Sequence, residues 1–402
     1  MAVATLHEMP PFLSGQEHLY LVRPQGSVPL GFVSEGQAVF LVARERSARW
    51  PVEVLRDGMA VLRADGLAER GSVSLVTDPV ERDRVLEKFF SKYGPERFHR
   101  WYEHPARVLR VDLGVEAGAV AGPDHYYGWL SAEFDNVAYD YDRHITGNRI
   151  NRLLRDRSLA ELRRAFGRTG VLLEIGCGSG METLPLIEDG HELLCVDISE
   201  KMLDVVRQKA VRAGVSERLR TIHLRAAALP ELVRSLGSGA VDGAFSTYGA
   251  LNCEEDLAPI PSALQDLIRP GGRFVAGVYN RWCLFEMVGY SLTGQIARAT
   301  GRMADPVPVG SSRFCVDVFA HSVGDFDRLF GATFSLERLA AVPVILPPSD
   351  LVGYAEMFSR HFELLDRWDR ALAKRWPFRA LGDHFLMTMV RRERIVAASP
   401  SQ

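Results

Sequence analysis

The 402-residue chain lacks several features that would point to a function quickly. It has no basic excess. Its net charge is -3, so the electrostatic footprint of a nucleic-acid binder is missing and no nucleic-acid partner is expected. Lysine is scarce among the 48 basic residues, which reads as base composition rather than as arginine-specific recognition. Cysteine pairs are missing too. The five cysteines are Cys177, Cys195, Cys253, Cys283 and Cys315, an odd number with no CxxC spacing. That argues against a disulfide framework and a structural zinc site, so no metal is expected, and reduced thiols suit a cytoplasmic location. No apolar run reaches the ~18 residues of a membrane span. The first residues, MAVATLHEMPPFLSGQEH, have neither the basic start nor the apolar core of a secretory signal.

What is present is ordinary for a globular protein: 47% hydrophobic and 25% charged residues. At roughly 150 residues per domain, the length suggests two or three domains.

The first third reads as β-rich. Apolar runs recur at His18 to Val22, Ala38 to Val42, Val52 to Leu55, Met59 to Leu62, Val73 to Val76 and Val108 to Leu113. Their spacing predicts a small barrel or sandwich. One helix interrupts them: Asp78 as N-cap, Pro79 at the first helical position, Glu81 closing a capping box, and a stop at Gly94-Pro95. A Gly/Ala/Val-rich linker, Gly114 to Asp124, leads to a Tyr-rich segment, Tyr126 to Tyr141.

From there strands and helices alternate. Strands are predicted at Val171 to Ile175, Leu193 to Val196, Thr221 to Leu224, Ala240 to Phe245, Arg273 to Val278, Phe334 to Ile345 and His384 to Arg391. Helices are predicted from Ser199, as cap, through Ala213 and over Pro261 to Ile268. This order implies an α/β fold with a parallel, doubly wound sheet.

The chemistry concentrates at VLLEIGCGSG, Val171 to Gly180. Gly176, Gly178 and Gly180 follow a buried strand at every second position, with Glu174 two residues ahead. Glycine permits positive φ and close backbone approach to a ligand. A dinucleotide turn, GxGxxG, would need glycine at position 181, which is Met181, so a nicotinamide dehydrogenase is disfavoured. The next strand ends LLCVDIS, and Asp197 at its carboxyl end can accept both hydroxyls of a ribose. A lone Asp there would otherwise serve as a helix cap.

The acid, the GxGxG turn and the strand-end Asp together resemble the class I S-adenosylmethionine-dependent methyltransferases, over Ala132 to Arg392. The resemblance implies a seven-stranded Rossmann-like sheet whose last strand, HFLMTMVRR, runs antiparallel. It implies S-adenosyl-L-methionine as cofactor and S-adenosyl-L-homocysteine as product. It places Glu174, Gly176, Gly178, Gly180 and Asp197 at the donor, with Ile198 packing on the adenine and Met202 nearby. Relatives often carry an acid after the third strand for the adenine amino group. Here the stretch is Arg225-Ala226-Ala227-Ala228, leaving the backbone of Ala226 and Ala227 to bracket the base. Ser246, Tyr248 and Asn252 fall where the fourth strand faces the methyl group. FDNVAYDYDRHITGN, Phe134 to Asn148, is similar to the start of quinone-pathway C-methyltransferases and places Tyr141 over the donor.

Nothing in the motifs selects an acceptor atom. A hydroxyl acceptor needs a base, for which His144, His321 and His384 are candidates, and Tyr139 and Tyr248 are candidate pocket walls. His384 follows Asp383, although neighbours in a strand point to opposite faces. Inserts near 283–305 and 347–377, rich in Phe, Leu, Trp and Met, are expected to cap a pocket for a small apolar or aromatic molecule.

The first domain, 1–115, resembles the split-barrel flavin and deazaflavin reductases. The stretch matching their phosphate grip, Arg23 to Pro29, holds one basic residue. The expectation is a degenerate split-barrel-like domain without flavin, used for homodimerisation or for covering the pocket. The 116–131 linker, the 132–393 catalytic domain and a 394–402 tail complete the expected organisation. Two other readings remain open: a flavin-binding redox and methyltransferase fusion, and a non-catalytic module that binds the donor.

Overall fold

The computed structural model describes residues 10–23, 27–44, 50–102, 105–114, 123–304, 306–311, 314–349, 351 and 361–393. The chain divides into two compact units: residues 1–133 with 308–316, and residues 134–307 with 317–402.

The first unit holds a closed barrel of six antiparallel strands: β1 (His18–Val22), β2 (Val28–Glu35), β3 (Ala38–Arg44), β4 (Met59–Ala64), β5 (Leu67–Leu75) and β6 (Pro105–Leu113), in the order β1-β2-β3-β6-β5-β4. Closure removes the free sheet edges that would invite another strand. The β4–β5 turn is Asp65-Gly66, both at positive φ, which suits the right-handed twist of a hairpin.

Four readings of the sequence fail here. Val52 to Leu55 lies in a helix, α1 (Trp50–Asp57), with Pro51 in its first turn, because a four-residue apolar run carries no usable period. β2 escaped notice because Pro29 and Gly31 break its apolar pattern. The helix after Asp78, α2 (Pro79–Tyr102), does not stop at Gly94. It kinks there, at φ 74°, and resumes from Pro95. Glu81 bonds Arg110 rather than closing a capping box. One face of α2 packs Val85, Phe89 and Tyr93 against Val33, Phe40, Val42 and Val108 of the barrel.

α3 (Pro123–Val137), α4 (Tyr141–Thr146) and α5 (Arg149–Ala165) lead into the second sheet. Its strands and helices alternate: β7 (Val171–Ile175), α6 (Thr183–Glu188), β8 (Glu192–Asp197), α7 (Glu200–Ala213), β9 (Leu219–His223), α8 (Leu229–Leu236), β10 (Val241–Ser246), α9 (Pro259–Leu267) and β11 (Ile268–Tyr279). The insert that follows contains α10 (Leu284–Leu292) and α11 (Ile296–Ala299), then a paired ribbon, β12 (Val307–Ser311) and β13 (Phe314–Val318). The chain closes with α12 (Val323–Phe330), β14 (Phe334–Val342), α13 (Phe362–Leu372) and β15 (His384–Arg391).

The seven-stranded sheet has the order β14-β15-β11-β10-β7-β8-β9. β11, β10, β7, β8 and β9 are mutually parallel, and β15 runs antiparallel to both β11 and β14. Consecutive strand residues point to opposite faces, and helices cover both. Leu173, Ile175, Leu194 and Val196 enter one core with α8, α9 and α12. Leu172, Leu193 and Cys195 enter the other with α5, α6 and α7. That double burial explains the unbroken apolar runs. The strand order reverses between β7 and β10, and the carboxyl ends at such a reversal form a crevice. No helix among the described residues is long and apolar enough to cross a membrane.

Candidate functional site

β7 delivers the glycine turn to that crevice. Gly176, Gly178 and Gly180 all have positive φ, at 72°, 51° and 77°. Their surroundings differ. A Cβ on Gly176 would meet Ala250 Cβ at 2.3 Å, and one on Gly180 would meet Val206 Cγ2 at 2.9 Å. A Cβ on Gly178 would meet nothing within 4 Å. The outer glycines therefore let the turn pack, and the middle one borders open space. Gly176 and Cys177 both donate backbone N–H groups to the Val196 carbonyl, which ties the turn to the end of β8.

Asp197 closes β8. Its Oδ2 accepts the Gly178 N–H at 2.7 Å and its Oδ1 accepts the Ser199 N–H at 2.9 Å. The cap of α7 is Ser199, whose Oγ accepts from Met202 N. Asp197 is thus released from capping, and each oxygen keeps a lone pair for a further donor. Burial raises its carboxyl from 3.8 to about 6, against the two backbone N–H groups. A desolvated acid held between fixed donors is a usual feature of a binding site.

The segment before the turn is fastened to it. Ser199 Oγ donates to Asp135 at 2.5 Å and Ser179 Oγ donates to Asp142 at 2.5 Å. Lys209 reaches both Asp142 and the Ser179 carbonyl. Tyr141 lies within the electrostatic reach of Arg155, Glu182, Cys253 and Asp197, and burial raises its hydroxyl above the ordinary range. Arg155, on α5, gives Nη1 to both oxygens of Glu182 and stacks 4.0 Å from the centre of the Tyr248 ring. No sequence pattern marked Arg155.

The remaining donor-side residues fall at several depths. Glu174 is buried, and its carboxyl accepts from Thr183 Oγ1 at 2.5 Å with the Cys195 thiol at 3.6 Å. Burial pushes its pKa well up, and its bonds to Thr183 and Cys195 place it beneath the turn as a support. Ile198 is half-buried, and its carbonyl contacts His223 Nε2 at 2.7 Å. Met202 is buried in α7. Ser246 is fully buried and donates to the Ile175 carbonyl, bridging β10 and β7. Ala226 and Ala227 form a half-buried 3-10 turn after β9, and Ala227 N donates to Glu254 at 3.0 Å.

On the other side of β10, β15 starts where β11 ends, with His384 opposite Tyr279. Being antiparallel, β15 brings its first residue to the same sheet edge as the glycine turn. His384 Nδ1 lies 3.1 Å from Asp383 Oδ2, so a kink at the strand's start overrides the face alternation. Burial would raise Asp383, but Arg302 and His384 hold it down at about 2. Arg302 bonds Glu286 and Asp383, both at 2.6 Å, and lies 4.0 Å from the Tyr279 ring centre. Leu154, Tyr248, Gly277, Val342, His384 and Leu386 line a small, shallow crevice. The Tyr248 hydroxyl donates to the Asn151 carbonyl, and burial raises it well above its ordinary range. Its hydroxyl hydrogen is directed at that carbonyl, and Tyr248 is one of the residues that line the crevice.

The other candidates stand apart. Tyr139 is 65% exposed, and the His321 ring packs against Phe326. The His144 and Cys315 side chains lie outside the described residues, as do 350 and 352–360 of the second insert, all of 394–402 and the linker core 115–122. Among the described residues, Cys283, Glu286 and Asp383 form a group of metal-binding type. Arg302 already bonds both carboxylates, and burial lifts the Cys283 thiol to about 12.

Comparison with known proteins bears on this unit. Residues 173–276 match the family described as "Methyltransferase domain". With the sheet order above, this unit has a class I methyltransferase fold. The tRNA 5-carboxymethoxyuridine methyltransferase of Escherichia coli (strain K12) is 28% identical over 151 residues, 37% of this chain and 56% of that protein. The demethylmenaquinone methyltransferase of Clavibacter sepedonicus is 29% identical over 173 residues, 42% of this chain and 61% of that protein. The chain thus spans little more than half the length of these relatives. Their names include an RNA enzyme, so exclusion of a nucleic-acid acceptor finds no support here. A solved structure, 1,6-didemethyltoxoflavin-N1-methyltransferase of Burkholderia thailandensis with bound 1,6-didemethyltoxoflavin and S-adenosylhomocysteine, is also similar. It is 19% identical with a TM-score of 0.43, covering 69% of this chain and 94% of that one.

Proposed function

We propose that the second unit transfers a methyl group from S-adenosyl-L-methionine to a small, apolar or aromatic molecule. One observation carries the reading: Asp197 is fixed by two backbone N–H groups, keeps acceptor capacity on both oxygens, and adjoins the open flank of Gly178. That combination suits a nucleoside sugar against the turn. The donor supplies an activated methyl on a sulfonium.

The chain's own contribution is placement. Asp197 accepts the ribose hydroxyls, the glycine turn leaves room for the backbone of the amino-acid end, and Ile198 packs on the base. Tyr141 and the Asp135 and Asp142 fastenings keep the entrance segment against the turn and exclude water. Alignment of acceptor, methyl and sulfur is the main catalytic demand. Where the acceptor bears a proton, His384 takes it. Asp383 receives the Nδ1 hydrogen and so leaves Nε2 as the basic nitrogen. Tyr248, Leu154 and Leu386 give the acceptor crevice its apolar walls.

The barrel unit serves in this reading as an accessory or homodimerising fold without flavin, given one basic residue in the stretch from Arg23 to Pro29. An RNA acceptor is disfavoured by the net charge of -3.

The test uses methyl-tritiated S-adenosylmethionine, incubated with a fractionated small-molecule extract and, separately, with bulk tRNA. Label in a small molecule supports the proposal. Label in tRNA alone overturns the acceptor class. A donor that binds without any transfer to either favours a non-catalytic module.

A further inference from the structure

Arg302 sits in the 3-10 turn Gly301–Met303, within the insert after β11, and is only 4% exposed. A guanidinium offers five N–H groups in a rigid fork. Here every one is used. Nε donates to Glu286 Oε2 at 2.8 Å, and Nη2 donates to Glu286 Oε1 and Asp383 Oδ1, both at 2.6 Å. Nη1 donates to the carbonyls of Asn280 and Asp383, at 3.0 and 2.9 Å. All of these hydrogens serve the protein's own groups, so the cation acts inward.

What it acts on is the bend before β15. Gly382 has no room for a Cβ, which would meet Ala341 Cβ at 2.6 Å and the carbonyl oxygens of His384 and Pro343 at 2.8 Å. Asn280 holds the same bend, donating Nδ2 to the carbonyls of Ala380 and Gly382. Asp383 is thereby turned toward two neighbours: Oδ1 faces Arg302, and Oδ2 lies 3.1 Å from His384 Nδ1. His384 in turn lines the crevice. Cys283 also faces Arg302, but burial lifts its thiol to about 12, so Glu286 and Asp383 are the charges that Arg302 balances.

The protonation of Asp383 decides where the hydrogen of a neutral His384 sits. An ionised carboxylate only accepts, so it calls for the hydrogen on Nδ1 and leaves the Nε2 lone pair free. A protonated carboxyl can donate to Nδ1 instead, which puts the imidazole hydrogen on Nε2. Asp383 is buried, and burial favours the protonated form. Arg302 is the largest influence against it. Resting on the reading of His384 as the base, we infer that Arg302 is a positioning residue that sets the His384 tautomer through Asp383. The insert that carries Arg302 is then part of the catalytic arrangement as well as a cover.

The experiment is long-range proton–nitrogen NMR of the full chain, with histidine labelled in its ring nitrogens, at about pH 9, where imidazoles are neutral. The signal missing from His384→Gln identifies the residue. The wild type is expected to carry the hydrogen on Nδ1. Arg302→Met alone leaves both buried carboxylates without their cation and endangers folding. The double variant Arg302→Met/Glu286→Gln removes one charge of each sign, and its hydrogen should shift to Nε2. Arg302→Lys returns a cation beside Asp383 and should keep the Nδ1 tautomer, with thermal melts checking that both variants fold. A wild type with the hydrogen on Nε2 overturns the inference, and so does a folded double variant that keeps it on Nδ1. Unchanged transfer of label by His384→Gln refutes the base reading instead and leaves the tautomer result standing.

Discussion

The Gly178 backbone N–H lies 2.7 Å from Asp197 Oδ2, so the glycine turn and the acid of the adjacent strand form one hydrogen-bonded unit. The acid orients the turn, and the turn fixes the acid. Ligand affinity and local backbone geometry are therefore linked at this point, and substitutions in either partner should be felt by both.

The three glycines should respond differently. Gly176→Ala places a Cβ against Ala250 and should destabilise the fold, by about 1–3 kcal/mol from overpacking plus the left-handed backbone penalty. Gly178→Ala meets no atom, so only the penalty for positive φ, about 1–2 kcal/mol, applies to stability. The added methyl projects into the donor's space and should abolish S-adenosylhomocysteine binding by a folded protein. Thermal melts paired with calorimetry separate the two outcomes.

Acid should weaken donor binding. Burial raises Asp197 to about 6, from 3.8. A raised carboxyl contributes stability below its usual value, and that contribution is lost as pH climbs through 6. Ribose hydroxyls favour the ionised form, so binding acts in the opposite sense. S-adenosylhomocysteine affinity should be flat above 6 and fall by up to about tenfold per pH unit below it. Titrations from pH 5 to 8 measure this, and the slope should vanish in Asp197→Asn.

His384 and Asp383 should matter for turnover and not for donor affinity. With a protic acceptor, His384→Gln should slow transfer by about 10²–10⁴-fold. Asp383→Asn should slow it too, by releasing the Nδ1 hydrogen from its acceptor. Asp383 is held at about 2, so its stabilising ion pair with Arg302 is present above 3.8 and lost as pH falls through 2. Acid unfolding of wild type against Asp383→Asn shows that window, and single-turnover kinetics show the chemistry.

The Arg157 clasp should be structural only. Arg157 bonds Asp366 and Asp369, both at 2.6 Å, and Asp369 is fully buried while accepting from the N–H groups of Val344, Ile345 and Leu346. Arg157→Ala leaves that charge unpaired and should cost about 3–5 kcal/mol in denaturant unfolding. Affinity for S-adenosylhomocysteine in the folded fraction should not change.

Much of the second unit was legible because it obeys simple periods. β7 and β15 fall where the apolar runs placed them, and Ser199 caps α7 as read. The glycine turn was legible because positive φ restricts the residue type. The barrel was harder to read. Trp50 to Asp57 hid a helix in a short apolar run, and Pro29 with Gly31 hid a strand. What the sequence concealed most was spatial convergence. Arg155 and Arg302 have ordinary sequence neighbours, and their importance arises from partners 27 and 81 residues away. His384 and Asp383 are adjacent, yet the strand rule argued against their contact until the bend before β15 was seen.

The most direct measurement is the titration of wild type and Asp197→Ala with S-adenosylhomocysteine. The expected result is saturable binding at one site per chain, weakened in the variant by about 1–3 kcal/mol through lost charged hydrogen bonds. Absence of binding by the wild type, or equal affinity in the variant, would contradict a crevice in which the carboxylate at position 197 holds the nucleoside sugar.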